Sequence, residues 1–178
     1  MLSLSSLAGW EEAVLASIGA AAGSPESRYA QIERSGMFGE YPAIVSAYIE
    51  LYDDEESALE AVKRTLFLVW RGAMFSPDVT GIAAMPESTA RAVLEELDDV
   101  IRNDMGDDEL AWMLAWYRAS GEFALELLGA TPRVLRWQDD LPADAWRGAG
   151  VGEPSMRRRG QMGAYWRALA ASAAEGTP

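Results

Sequence analysis

The 178-residue sequence predicts an all-α fold, an irregular bundle of about seven to eight helices in a single domain. Apolar residues recur at intervals of three and four along most of the chain, which is the spacing of one helix face. Two such stretches begin with Ser24-Pro25 and Thr131-Pro132, and this pair is typical of a helix N-terminus. No segment alternates like a strand, and no fixed period indicates a repeat architecture.

Three helices are predicted before residue 53. Apolar residues spaced by four predict the first over residues 6–22, where Trp10, Val14 and Ile18 share one face. Ser24-Pro25 opens a second, short helix that stops by Gly36, and residues 37–41 connect it to a third. The helices predicted to form the core follow these three.

The helices between residues 53 and 128 are predicted to form the core. Asp53 can cap a helix ending near Phe75, with acids 54–56 in the first turn, where the helix dipole favours them. A second helix is predicted over 86–104, with one apolar stripe, and a third over 107–128, with two apolar stripes. The second stripe of this third helix consists of Met113, Trp116, Ser120, Phe123 and Leu127. The width of the apolar surface on the helix ending near Phe75 predicts burial on more than one side.

The C-terminal part is less regular. A short helix follows Thr131-Pro132, residues 141–154 are rich in Pro, Gly and Ala and predict a loop, and a last helix is expected over 155–173. Residues 174–178 are expected to fray.

Composition restricts the chemistry. The chain contains no His and no Cys, which excludes disulfides, thiolate-bound zinc and the commonest nucleophile–base pairs. A net charge of −13 argues against a nucleic-acid partner, whose phosphates need clustered cations. No uninterrupted apolar stretch is long enough for a membrane span, so a cytoplasmic protein without a membrane partner is expected. No cofactor is predicted.

The best candidate for a metal site is Asp98, Asp99 and Asp104. This run resembles the aspartate-rich motif of all-α isoprenoid synthases, and Mg²⁺ prefers carboxylate oxygens. However, no second acidic motif of that quality is found, and Asp98 with Arg102 also forms an ordinary i,i+4 pair.

Residues 76–82 are the best candidate for a ligand site. Asp78 and Thr80 could present oxygens beside Trp70, which is a common arrangement for binding a small molecule. The same residue types also form a plain turn.

Tryptophan and arginine near the C-terminus suggest an interaction surface. The candidates are Trp137, Trp146, Arg157, Arg158, Arg159 and Trp166. Alternatively, the arginines dock onto the acidic body of the same chain, and the tryptophans pack in its core. Trp112 lies off both stripes of its helix and is expected to be half exposed.

Three segments, residues 66–70, 77–82 and 109–117, together resemble small uncharacterised bacterial all-α proteins. The resemblance implies a helical fold. It implies no activity and no residue roles, because none is assigned to those proteins.

The sequence assigns no definite activity and favours a non-enzymatic protein without excluding catalysis. The preferred hypothesis is an acidic immunity-type or regulatory protein whose partner is a protein, either basic or a second copy. The alternative is a small-ligand binder or a Mg²⁺-dependent enzyme that uses an acidic helix face.

Overall fold

The computed structural model describes residues 2–83, 85–142, 144–145 and 156–175, which contain helices and turns and no strand. The all-α prediction is therefore confirmed. The described helices are α1 (Leu4–Gly19), α2 (Pro25–Arg34), α3 (Glu40–Ile49), α4 (Ala58–Met74), α5 (Pro77–Thr80), α6 (Glu87–Arg102), α7 (Asp108–Ser120), α8 (Ala124–Leu127), α9 (Pro132–Asp140) and α10 (Gly160–Glu175). A 3₁₀ turn, Met37–Gly39, joins α2 to α3.

Helix α4 is the centre of the molecule. Every side chain from Ala61 to Trp70 is buried, and α3, α6, α8 and α10 all pack against this helix. The wide apolar surface of the sequence therefore correctly predicted burial on several sides.

The core is not confined to residues 53–128, and that prediction was too narrow. Helices α1, α3 and α10 contribute fully buried side chains, among them Leu7, Tyr48 and Trp166. Because α1 packs against both α3 and α10, the two ends of the chain close the same core.

Asp53 does not cap α4, which begins five residues later with Ser57 as its N-cap residue. The chain turns through residues 50–57 because Leu51 and Ser57 are both buried while acids 53–56 stay in water. Asp54 stabilises this turn by accepting a hydrogen bond from the Ser57 hydroxyl.

The predicted helix over 107–128 is two helices. Asp107 caps α7 as expected, since its Oδ1 accepts the Leu110 N–H at 2.9 Å. Helix α7 ends at Ser120 because Gly121 has an extended backbone, with φ −173° and ψ 94°, and the end of the Met74 side chain of α4 lies against this glycine. Beyond this break the second predicted stripe fails, and Phe123 and Leu127 are 60% and 85% exposed.

The last helix begins at Gly160, five residues later than predicted. Arg158 and Gly160 have φ values of +62° and +56°, and these left-handed residues stop any helix from passing through them. The α10 stripe is as predicted, with Met162 and Trp166 buried. The predicted loop falls largely outside the described residues, as do positions 176–178 of the tail.

Candidate functional site

The most unusual residue is Glu11, a carboxyl group with no exposure to solvent. It lies on the buried face of α1, four residues after Leu7 and three before Val14. The sequence analysis missed it, although an acid inside an apolar helical stripe is a recognisable departure from the pattern.

Two hydrogen bonds hold the Glu11 carboxyl group. The Tyr48 hydroxyl donates to Oε1 at 2.7 Å, and the backbone N–H of Gln161 donates to Oε2 at 2.9 Å. Burial raises the pKa of Glu11 to about 7, against the opposing effects of these two bonds and of the Arg64 charge.

The first turn of α10 covers this carboxyl group. Gly160 lies so close to Glu11 that a Cβ at position 160 would overlap the carboxylate. The next residue, Gln161, uses its amide group to donate to the Tyr41 hydroxyl at 2.7 Å and to the Thr80 carbonyl at 2.9 Å. The start of α10 is thereby tied to α1, α3 and α5 at once.

An ion-pair network lies next to this cover, with buried cations and partly exposed acids, and consists of six residues: Glu60, Lys63, Arg64, Asp107, Glu109 and Arg159. Arg64 and Arg159 both bind Glu60, and Arg159 also reaches Glu109 at 2.6 Å. Lys63 lies 2.7 Å from Asp107. Arg64 joins the network to Glu11, since its Nη1 donates to the Tyr48 hydroxyl at 3.2 Å.

Glu60 stays ionised in this network. Burial alone would raise the pKa of Glu60, but the hydrogen bonds and charges of Arg159 and Arg64 hold it below its ordinary value. The network opens on a surface cleft of about 530 Å³ that Arg157 and Arg158 also line.

Glu11 has the pKa of a general acid or base, but its position does not suit catalysis. Both carboxyl oxygens are bound by groups of the protein, and the side chain is fully covered. A general base must reach the proton that it abstracts, and among the described residues this carboxyl group has no contact with solvent.

Arg159→Ala is expected to lower the free energy of unfolding by about 2 kcal/mol, because Glu60 and Glu109 both lose a buried cation and Glu109 keeps only Lys63, at 3.5 Å, among the described residues. Urea denaturation monitored by circular dichroism measures the change. The control is Arg158→Ala, whose exposed side chain precedes Arg159 and should alter stability by less than about 0.5 kcal/mol. Equal effects of the two variants would contradict a stabilising network.

The three acids of the predicted metal site do not converge. The Thr131 hydroxyl donates to Asp98, and Arg133 lies 2.9 Å from the same carboxylate, so Asp98 joins α6 to α9. Asp99 pairs with Arg102, whereas Asp104 lies in the turn after α6 with φ +54°. Across the described residues, no group of three or more acidic side chains could hold a metal ion.

The predicted ligand residues make internal contacts. Thr80 Oγ1 donates to the Ser76 carbonyl and accepts the Ile82 N–H at 3.1 Å, while Asp78 accepts a hydrogen bond from the Ser76 hydroxyl at 2.6 Å. Both residues belong to the single turn α5. Trp70 is instead fully buried, and its ring stacks on Tyr117 with centroids 4.4 Å apart.

The predicted interaction residues differ in how far their side chains are exposed to solvent. Trp166 and Arg159 are buried, so neither can form an exposed surface. Trp137 is half-buried, and Trp146 lies outside the described residues.

Arg157 and Arg158 are exposed, as an interaction surface would require. For Arg159 the alternative prediction is confirmed, because this arginine docks onto the acids of its own chain.

Trp112 was expected to be half exposed but is buried. Its ring meets Trp166 edge to face, with centroids 4.3 Å apart, because α10 covers this side of α7. Because Trp166 belongs to another helix, the sequence of α7 alone could not predict this contact.

Among the described residues, four exposed large apolar side chains lie at the C-terminal end of α4 and at α8, and we call them the apolar face: Met74, Phe75, Phe123 and Leu127. Phe123 and Leu127 are one helical turn apart at α8, and the Met74 side chain reaches Gly121, just before α8. The exposed acids Glu122 and Glu126 alternate with the two α8 side chains. Sequence reasoning missed this surface because it assigned Phe123 and Leu127 to a buried stripe.

Comparisons of the chain with protein-family models, with curated proteins and with solved structures found no match. None of the described helices has the length and apolar character needed to cross a membrane.

Proposed function

We propose that this chain is a cytoplasmic, non-enzymatic protein that binds a basic protein partner through the apolar face, as immunity-type or regulatory proteins do. The observation that carries the proposal is the exposure of Phe123 and Leu127, 60% and 85%, on one side of α8. Large apolar side chains grouped at the surface and rimmed by polar groups are typical of protein-binding sites.

Energetic considerations support this face as a binding site. Covering Phe123 and Leu127 would each contribute about 1.5 to 3 kcal/mol, and such anchors dominate interface energies. Part of the face is already rigid, because Phe75 packs against Trp70 with centroids 5.6 Å apart and the Arg71 guanidinium lies over its ring. A partner would therefore lose little free energy to ordering this part.

Charge identifies the kind of partner. The chain carries a net charge of −13, and Glu122 and Glu126 border the apolar face directly. An acidic rim speeds the approach of a basic protein and repels an acidic one. A second copy of this chain would bring the same acids together, so self-association is the less favoured outcome.

The double variant Phe123→Ser with Leu127→Ser is expected to weaken partner binding about a hundredfold or more, because both anchors lose their apolar area. Both side chains are exposed, so the free energy of unfolding should change by less than about 1 kcal/mol. The probes are purified basic proteins encoded beside this gene, with affinity measured by calorimetry.

Met105→Ser is the matched control. Met105 is exposed and apolar but lies in the turn between α6 and α7, away from the apolar face. Binding that survives in the double variant, or that falls equally in the control, would contradict the proposal. Light scattering tests for self-association. A dimer that the wild type and the control form, but the double variant does not, would identify a second copy of the chain as the partner.

The alternative function, a ligand binder or Mg²⁺-dependent enzyme, gains no support from the placement of its residues. Asp98 is already bound by Thr131 and Arg133, and the Thr80 hydroxyl makes its hydrogen bonds within α5 and its flanking residues.

A further inference from the structure

We propose that the start of α10 is a proton-controlled latch: α10 is held closed over Glu11 while this carboxyl group is protonated, and ionisation of Glu11 loosens it. This device does not require a bound partner. It depends on the first turn of α10, which covers the buried Glu11 carboxyl group.

The first two residues of α10 lie directly against the Glu11 carboxylate. Gly160 leaves no room for a side chain above the Glu11 carboxylate, and the Gln161 N–H donates to that carboxylate at 2.9 Å. Glu11 is fully buried with α10 in place, so water reaches it when the first turn of α10 moves away. Opening of the latch and hydration of Glu11 are therefore the same event.

The groups that face Glu11 do not supply a full counter-charge. From α3 it meets the Tyr48 hydroxyl, and from α10 it meets a backbone N–H, and both are neutral. Among the described residues, the cation that interacts with Glu11 is Arg64 of α4, whose guanidinium also binds Glu60 and the Leu4 carbonyl. On α1 itself the neighbouring acid Glu12 adds repulsion.

An ionised Glu11 is consequently a buried anion without its own partner, and exposure to water relieves that cost. The pKa of about 7 for the closed state, against the ordinary value of 4.5, gives the direction of the effect. Because the closed state holds its proton more tightly, the latch is firmest below pH 4.5. It weakens as the pH rises to about 7 and changes little above that.

The latch also reaches the apolar face. One helical turn after Gln161, the Tyr165 ring packs against Phe75 with centroids 6.5 Å apart, and Arg71 lies over the same ring at 4.7 Å. Loosening the first turns of α10 would remove the support beneath Phe75. A change in pH near neutrality could thus alter the surface that the partner meets.

Hydrogen exchange measured by mass spectrometry tests the latch. Between pH 5 and pH 8, after correction for intrinsic exchange rates, opening of the first turns of α10 should increase about fifty- to one-hundredfold. Amides of α6, which makes none of the contacts to Glu11, should change much less. Glu11→Gln should remove the pH dependence, while the exposed neighbour variant Glu12→Gln should retain it.

Two results would overturn the proposal. An equal change in α6 and α10 would mean that the proton is linked to global unfolding, and a pH dependence that persists in Glu11→Gln would assign it to another group. Should Glu11→Gln fail to fold, the comparison of α6 with α10 in the wild type still decides. Carboxyl-carbon NMR of the wild type then adds a second criterion, because absence of any Glu titrating near pH 7 would also exclude the latch.

Discussion

Gly160→Ala is expected to lower the free energy of unfolding by about 2 to 5 kcal/mol. Two costs combine at this position. The backbone has φ +56°, where a Cβ is strained, and the added methyl group would overlap the Glu11 carboxylate. Glu11 cannot move aside without losing the Tyr48 hydroxyl or the Gln161 N–H, and an unpartnered buried carboxyl group adds its own cost. Urea denaturation measures the loss.

Gly36→Ala is the matched control for the backbone. Gly36 has φ +76°, but no other atom lies within 4 Å of the position of its Cβ, so this variant should cost only about 1 kcal/mol. A double-mutant cycle then isolates the overlap. In a Glu11→Ala background the carboxylate is absent, and Gly160→Ala should cost no more than Gly36→Ala does. If Gly160→Ala and Gly36→Ala were equally destabilising in the wild type, the close approach of Gly160 to Glu11 would be refuted.

Features that depend on a few neighbouring residues could be predicted from the sequence. The Thr131 hydroxyl accepts the Val134 N–H at 3.3 Å, as the cap-plus-proline pattern indicated, and Ser24 caps α2 in the same way. The apolar stripe of α6 is buried as its spacing required. Capping and the spacing of apolar residues on one face involve residues of a single helix, so the local sequence is enough to predict them.

Features that depend on a distant segment could not be predicted in this way. At the break after Ser120, Gly121 lies against the Met74 side chain of α4, and Trp112 is buried because Trp166 of α10 packs against its ring. Glu11 was recognisable as an exception within the α1 stripe. Its partners, Tyr48 and Gln161, lie 37 and 150 residues away, and only the fold brings them together.

The same break created the candidate binding surface. A continuous helix over residues 107–128 would have carried Phe123 and Leu127 on a stripe shared with buried Met113. Because α7 ends at Ser120, α8 leaves in a new direction and these two side chains face water. The functional hypothesis therefore rests on a place where the predicted helical pattern failed, and functional sites are expected among such departures from local rules.

Trp166→Ala is expected to lower the free energy of unfolding by about 3 to 5 kcal/mol, the range for removing a large aromatic side chain from a core. Trp166 is buried against Trp112, with centroids 4.3 Å apart, and also contacts Tyr165 and Trp116 at 5.2 and 6.1 Å. Its loss leaves a cavity between α7 and α10, since a fixed cluster of rings collapses only partly. Thermal and urea denaturation would show lower midpoints.

Trp166→Phe distinguishes packing from hydrogen bonding. The indole Nε1 is buried and has no hydrogen-bond partner among the described residues, so phenylalanine keeps most of the ring contacts and removes an unsatisfied donor. We expect this variant to cost only about 1 to 2 kcal/mol. If Trp166→Ala were nearly neutral in stability yet weakened partner binding, the side chain would belong to an exposed interaction surface after all. Intact binding in a Trp166→Ala protein that unfolds more easily would instead place this tryptophan in the core.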